Sequence, residues 1–300
     1  MITVKKNYTS SIPLADVLLT GECNQNCPTC ISFFEKGLGK RTMSMDEIAL
    51  CTDLFLELGV EAVSVSGGEP LIVPHVSEAL NYFHQHGLKV QIETNALNFQ
   101  EHYIKIKDII KWYSFSLDGH TREMNFRMRP QYPASIERWG YQFDAVLSAL
   151  DALRKNESKA KVKIGSVICE ENSDSVVQIG DLIRDYPNVK KWKLYQVRKS
   201  NPRYCPDERF AKIINEIERR NQMCPYPFDL VINPSRNLDN CVILTVRSDT
   251  MEVFTEVSGN EIISFGRIGY NSTESIARKI REMPEIAEGT TMRYNMTYRS

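Results

Sequence analysis

The chain has 300 residues, enough for one large α/β domain or for a core with a smaller appendage. Hydrophobic residues make up 42% and charged residues 25%, and 37 basic against 38 acidic side chains leave a net charge of −1, the make-up of an ordinary globular protein. This balance excludes a global electrostatic pull toward nucleic acid or an anionic membrane, leaving only local basic clusters to consider. No apolar run reaches the roughly 20 residues of a membrane span. The opening MITVKKNYTSSIP has neither the apolar stretch of a secretory signal nor the Arg-rich amphipathic pattern of a transit peptide, so a cytoplasmic location is expected.

Short apolar runs rich in β-branched residues predict strands at 14–21, 62–66, 89–94, 112–117, 161–168 and 191–197. Helical patterns fall between them. The first covers 43–59, with Ser44 or Asp46 as N-cap and Gly59 to close it. Others are read at 75–87, 102–110, 137–156 and 173–186. Strands alternating with helices argue for a parallel sheet of βαβ units, and six of them suit a partial (β/α)6 TIM-like barrel, open on one side to a sizeable substrate. Past residue 200 the rhythm changes. A helix is expected at 207–222, then strands around FDLVI, CVILTVRSD and MEVFTEV with a hairpin near Ser248 and Asp249, then a helix at 274–283. The expected division is a barrel core over 1–200 and a C-terminal α+β extension over 201–300 that covers the substrate.

Eight cysteines are present, and three of them, Cys23, Cys27 and Cys30, lie within eight residues directly after the first predicted strand. That loop belongs to the C-terminal edge of the sheet, where α/β folds place their sites. Three thiolates on a [4Fe–4S] cube leave one iron open. Zinc normally takes four protein ligands, or three and water, and no fourth Cys or His lies nearby in sequence. Three unrelated packing thiols are the remaining alternative. Downstream, Ser66-Gly67-Gly68-Glu69-Pro70 follows the second strand: two glycines let backbone approach a ligand closely, and Glu69 can accept a charge-assisted bond from an ammonium.

C-x3-C-x2-C after a first strand, followed one βα unit later by Gly-Gly-Glu-Pro, resembles the radical SAM superfamily. The resemblance implies one [4Fe–4S] cluster on Cys23, Cys27 and Cys30, with S-adenosyl-L-methionine (SAM) on the open iron. It implies reductive cleavage of SAM to a 5′-deoxyadenosyl radical that abstracts a hydrogen atom from substrate. Gly67, Gly68 and Glu69 would meet the methionine amino group, and Asn95 and Ser116, at the ends of the third and fourth strands, would touch the ribose or carboxylate. Arg127 would pair with the carboxylate, with Arg129 the competing choice. Flavodoxin or ferredoxin is the implied electron donor. Thr29 stands where the family usually has an aromatic residue.

Residues 163–168 and 192–196 are similar to viperin-like enzymes, which implies a small-molecule substrate of the nucleotide class. Lys163, Lys193, Arg198, Lys199 and Arg203 cluster near the fifth and sixth strand ends and can hold phosphates. Against this, no tyrosine stands in residues 248–254, where the resemblance places a proton source. The alternatives are a peptide- or natural-product-modifying radical SAM enzyme and a non-catalytic Fe–S or zinc-binding module. Cys205, Cys224 and Cys241, separated by 18 and 16 residues, lack the tight pair of an auxiliary cluster and read as structural thiols, as do Cys51 and Cys169. A triple Cys23/Cys27/Cys30→Ala variant is expected to lose all cluster absorbance after anaerobic reconstitution; retained colour and iron would contradict the ligand assignment.

Overall fold

Val63 and Val65 are buried against helices, whereas Ser64 between them turns to the opposite face and accepts from Gln91 Nε2 at 3.1 Å. This two-residue alternation gives the core strands an apolar outer face and an inner face that carries polar residues such as Asp16, Ser64, Gln91 and Lys163. In a computed structural model of the chain, residues 12–31, 37–235, 243–257 and 261–298 are described. Seven strands run parallel as neighbours: β1 (Leu14–Thr20), β2 (Ala62–Gly67), β3 (Lys89–Thr94), β4 (Ile110–Ser116), β5 (Lys161–Ile168), β6 (Val189–Gln196) and β7 (Asp229–Asn233). β8 (Leu244–Arg247) lies parallel to the free edge of β1, and β9 (Glu252–Val257) and β10 (Glu261–Arg267) continue antiparallel beyond it. The segment past residue 200 therefore extends both edges of one sheet. The expected hairpin at Ser248 and Asp249 joins β8 to β9.

The sheet is strongly curled. Arg198, just after β6, pairs with Glu256 of β9 at 2.8 Å. Six strands separate β9 from β6 in sheet order. At about 4.8 Å per strand spacing, a flat sheet would hold them roughly 34 Å apart. The architecture is thus the parallel α/β partial barrel that the alternation implied.

Helices cover the outer face. The first, α1 (Met45–Glu57), starts in a capping box: Glu47 N donates to Ser44 Oγ, and Ser44 N to Glu47 Oε2. α2 (Val76–Gln85) and α3 (Phe99–Ile106) follow β2 and β3. α3 begins three residues earlier than the pattern suggested, and Ile110 is already strand. The single helix expected over 137–156 is two, α5 (Pro133–Trp139) and α6 (Gln142–Lys155), because Gly140 takes φ of 71° and ends the first. The helix expected over 173–186 is a 3-10 turn, Val176–Gln178, followed by a short α7 (Ile179–Ile183). α4 (Arg122–Met128) had no counterpart in the sequence reading, nor did α10 (Pro284–Tyr298), which follows α8 (Asp207–Met223) and α9 (Thr273–Arg281). No helix among the described residues is long and apolar enough to cross a membrane.

At Gly180, in α7, an added Cβ would lie 2.6 Å from the Tyr226 hydroxyl and 2.7 Å from Trp192. Gly180→Ala is expected to lower stability by about 1–3 kcal/mol through overpacking. An unshifted chemical denaturation midpoint would contradict that close approach.

Candidate active site

The loop after β1 carries Cys23, Cys27 and Cys30 as half-buried free thiols. It is pinned from three directions. Asn26 N donates to Pro130 O at 2.9 Å, Gln25 Nε2 to Arg129 O at 3.2 Å, and Asn201 Nδ2 to Pro28 O at 3.2 Å. Asn24, buried in the loop, donates to Asn98 Oδ1 and accepts from Asn95 Nδ2. Burial pushes the Cys27 thiol up to about 11 while the Arg129 charge pulls it back. The Cys23 thiol is also raised, first by burial and then by the nearby Glu69 carboxylate.

The Gly67–Glu69 turn lies directly against this loop. Gly68 N donates to Thr20 O at 2.7 Å, and Glu69 N to Glu22 O at 2.8 Å. Gly67 has φ of 129°, and a Cβ at either glycine would collide with a backbone oxygen, Thr20 O or Glu22 O respectively. Only glycine fits such an approach. Glu69 itself is 1% exposed. Its Oε1 accepts from Thr94 Oγ1 at 2.6 Å and Leu71 N at 3.0 Å, and its Oε2 from Asn95 N at 2.7 Å. Burial raises the carboxyl to about 7, against the lowering effect of those three bonds and of Arg129. The carboxylate foreseen as an ammonium acceptor makes its bonds within the protein.

Of the other foreseen residues, Asn95 is buried and its side chain is held by Asn24 and by Leu97 N. Ser116 stays half-buried on the inner face at the end of β4. Both of their carbonyls accept from Gln142 Nε2, at 3.0 and 2.7 Å. Arg127 is exposed, whereas Arg129 lies beside the thiols. The reason is helical phase: α4 buries Asn125 and Met128, which turns Arg127 outward, and Arg129 leaves the helix as its C-cap. Arg129 Nη1 pairs at 2.7 Å with Asp118 Oδ2, whose side chain is fully buried. Asp118 Oδ1 accepts from Val167 N at 2.7 Å. The charges of Cys27, Asp118 and Cys30 raise the Arg129 guanidinium against its burial. The sequence signal for Asp118 was an acidic residue directly after an apolar strand; Gln142 carried no such signal.

These residues fit an iron–sulfur cube. Three thiolates would leave net negative charge in a half-buried loop, and Arg129 is the compensating cation. Its guanidinium is 15% exposed, and its Nε is a buried donor with no hydrogen-bond partner among the described residues. A cube binds each of three thiolates through a different iron. Cys51, Cys169 and Cys205 are buried, Cys224 is exposed, and Cys241 lies outside the described residues.

Because the sheet curls, its inner face is concave, a cup lined toward the strand ends by half-buried Ser116, Gly165, Lys193 and Tyr195. Lys161 and Lys163 of β5 and Lys191 and Lys193 of β6 share that face. Lys163 pairs with Glu93 at 2.8 Å. Lys161 and Lys191 lie over the Trp112 ring at 5.4 and 5.8 Å, and Lys193 over Tyr195 at 5.2 Å. Burial lowers the Lys191 ammonium, with Asp229 opposing. Among the other basic residues singled out in the sequence, Arg198 pairs with Glu256, Lys199 with Asp207 and Arg203 with Glu171.

A parallel partial barrel with three thiols on the loop after its first strand, an arginine beside them and a glycine turn packed against that loop has the donors and counter-charge that an iron–sulfur cluster would need. Residues 17–183 match the Radical SAM superfamily, more than half of the chain, and the chain belongs to that superfamily of enzymes, whose cofactors are a [4Fe–4S] cluster and SAM. It is 21% identical over 288 residues to an S-adenosylmethionine-dependent nucleotide dehydratase of Flammeovirga pacifica, covering 89% of this chain and 94% of that one. It is 26% identical over 191 residues to a GTP 3′,8-cyclase of Alkaliphilus metalliredigens, covering 61% and 56%. The chain thus spans nearly the whole of the first relative and about half of the second. Among solved structures, native anSMEcpe with bound AdoMet and Kp18Cys peptide superposes with a TM-score of 0.66 at 14% identity, over 92% of this chain and 82% of that one. That likeness is one of fold.

Glu69→Ala removes the acceptor from three buried donors, at about 1–3 kcal/mol for each one left unsatisfied. The variant is expected to melt well below the parent and to lose cluster-binding capacity with it. An unchanged melting temperature would contradict the role of Glu69 as the brace of the loop.

Proposed function

We propose that this radical SAM enzyme acts on a nucleotide whose phosphates meet the half-buried Lys193 of the lysine-rich inner face. The observation that carries the reading is the charge of that face. Four lysines project from neighbouring positions of β5 and β6, against Glu93 and Asp229 as nearby carboxylates. Lys193 makes no ion pair among the described residues and stands near the strand end, where a phosphate can reach it. The near full-length similarity to a nucleotide dehydratase supports the same class.

In this reading Cys23, Cys27 and Cys30 hold the cluster, and its open iron takes SAM. The two cofactors supply the hard step, reductive cleavage of the sulfonium to a 5′-deoxyadenosyl radical that removes a hydrogen atom. The chain's own groups do the positioning. The Gly67–Gly68 backbone gives SAM a close approach to the loop, the Ser116 hydroxyl faces the cup, and Arg129 offers its charge to the cluster and the SAM carboxylate. Glu69, Asn95 and Gln142 hold the strand ends in place. The chain past residue 200 supplies the strands that flank the cup and so covers the substrate. Flavodoxin or ferredoxin delivers the electron.

Anaerobic assay of 5′-deoxyadenosine release, with SAM, dithionite and a panel of nucleotides, peptides and sugars, tests the proposal. A nucleotide is expected to stimulate release above the substrate-free rate. Stimulation by a peptide or a sugar alone would overturn it.

A further inference from the structure

Gly165 is a glycine that the protein itself does not need. It lies inside β5, paired with Ser116 on one side and Lys193 on the other, and its face of the sheet is the inner one. It is absent from the positive-φ glycines, so any residue can adopt its backbone conformation. An added Cβ would meet Tyr195 Cε2 at 3.6 Å and Phe115 O at 3.9 Å, both ordinary van der Waals distances. Gly67, Gly68 and Gly119, by contrast, are each pressed against backbone. A glycine within a strand weakens it, and where neither φ nor packing calls for one, the remaining use is close approach by something else.

The neighbours say what approaches. Gly165 is half-buried, as are Ser116, Lys193 and Tyr195, so the four line accessible floor, while Lys163 and Lys191 one layer deeper are buried. Adjacent strands stand about 4.8 Å apart. Gly165 therefore lies one strand from Ser116, on the SAM side of the cup, and one strand from Lys193, on the phosphate side. In a nucleotide, the group joined directly to the phosphates, and so the one within a strand spacing of a phosphate-binding Lys193, is the sugar.

We propose that Gly165 is the specificity-determining floor on which the substrate's ribose sits, with the Tyr195 ring as its side wall; this rests on the nucleotide reading above. A side chain at 165 fills the space the sugar needs and leaves the protein's own packing intact.

The test uses the reconstituted holoenzyme with Gly165→Ala and Gly165→Val. Equilibrium binding of ATP, GTP, CTP and UTP is measured one at a time, alongside SAM affinity, iron content and melting temperature. For whichever triphosphate the parent binds, Gly165→Ala, which adds one carbon, is expected to weaken affinity by about 10- to 200-fold, the range by which a pocket discriminates one excess methylene, and Gly165→Val, which adds three, by more. Iron content and SAM affinity are expected to match the parent, with melting temperature equal or higher. Parent-like nucleotide affinity in Gly165→Val would overturn the proposal. A loss of SAM affinity equal to that for nucleotide would also overturn it, by placing the cofactor over the glycine. If the valine variant does not fold, the alanine variant decides alone by the same criteria. A parent that binds none of the four triphosphates ends the nucleotide reading and this proposal together, a result distinct from binding that Gly165 does not control.

Discussion

A buried carboxylate organises the site. Glu69 lies almost out of contact with solvent and accepts from the end of β3, through Thr94 and Asn95, and from its own turn, through Leu71. Burying such a group without partners is prohibitive, so its position dictates that of every donor around it. The same turn is bonded by backbone to Thr20 and Glu22, immediately before Cys23. The path of the cysteine loop is therefore held by main-chain bonds and one carboxylate of the chain itself. Asp118 does the equivalent work on the other side: it anchors Arg129 beside Cys27 and Cys30 and ties that ion pair to β5 through Val167.

The two faces of the sheet divide the labour. Outward, Val63, Val65, Ile92, Phe115, Ile164 and Leu194 pack beneath the helices and supply stability. Inward, the same strands carry Ser, Gln, Glu, Lys and Gly, an arrangement that gives up apolar burial to build a polar floor. The Arg198–Glu256 pair marks how far the sheet curls around that floor. Curling brings C-terminal strands that are remote in sequence to the rim of the cup.

The six core strands and the cysteine loop were legible because both are local signals, a period-two apolar pattern and three thiols within eight residues. Gly67 and Gly68 were legible as a turn that needs glycine, though the backbone they approach is that of Thr20 and Glu22 rather than the ligand the sequence suggested. What stayed hidden depended on phase or on distant partners. Arg127 and Arg129 differ by two residues, and without α4 in view nothing decided which faced inward. The internal partners of Glu69 were not legible, because its three donors come from the turn beyond Pro70 and from another strand. The basic residues near the fifth and sixth strand ends read as one anion site, but Arg198, Lys199 and Arg203 are each matched to a carboxylate that sequence adjacency does not show. β8 lies beside β1 although more than two hundred residues separate them, a pairing no local pattern encodes.

Three thiolates and one vacant iron remain the central claim. Its most direct test is the electron paramagnetic resonance spectrum of the dithionite-reduced, reconstituted protein, recorded with and without SAM. A [4Fe–4S] signal whose g-values shift when SAM is added is the predicted result. A cluster signal indifferent to SAM would mean that the fourth iron is already occupied, and would contradict the account.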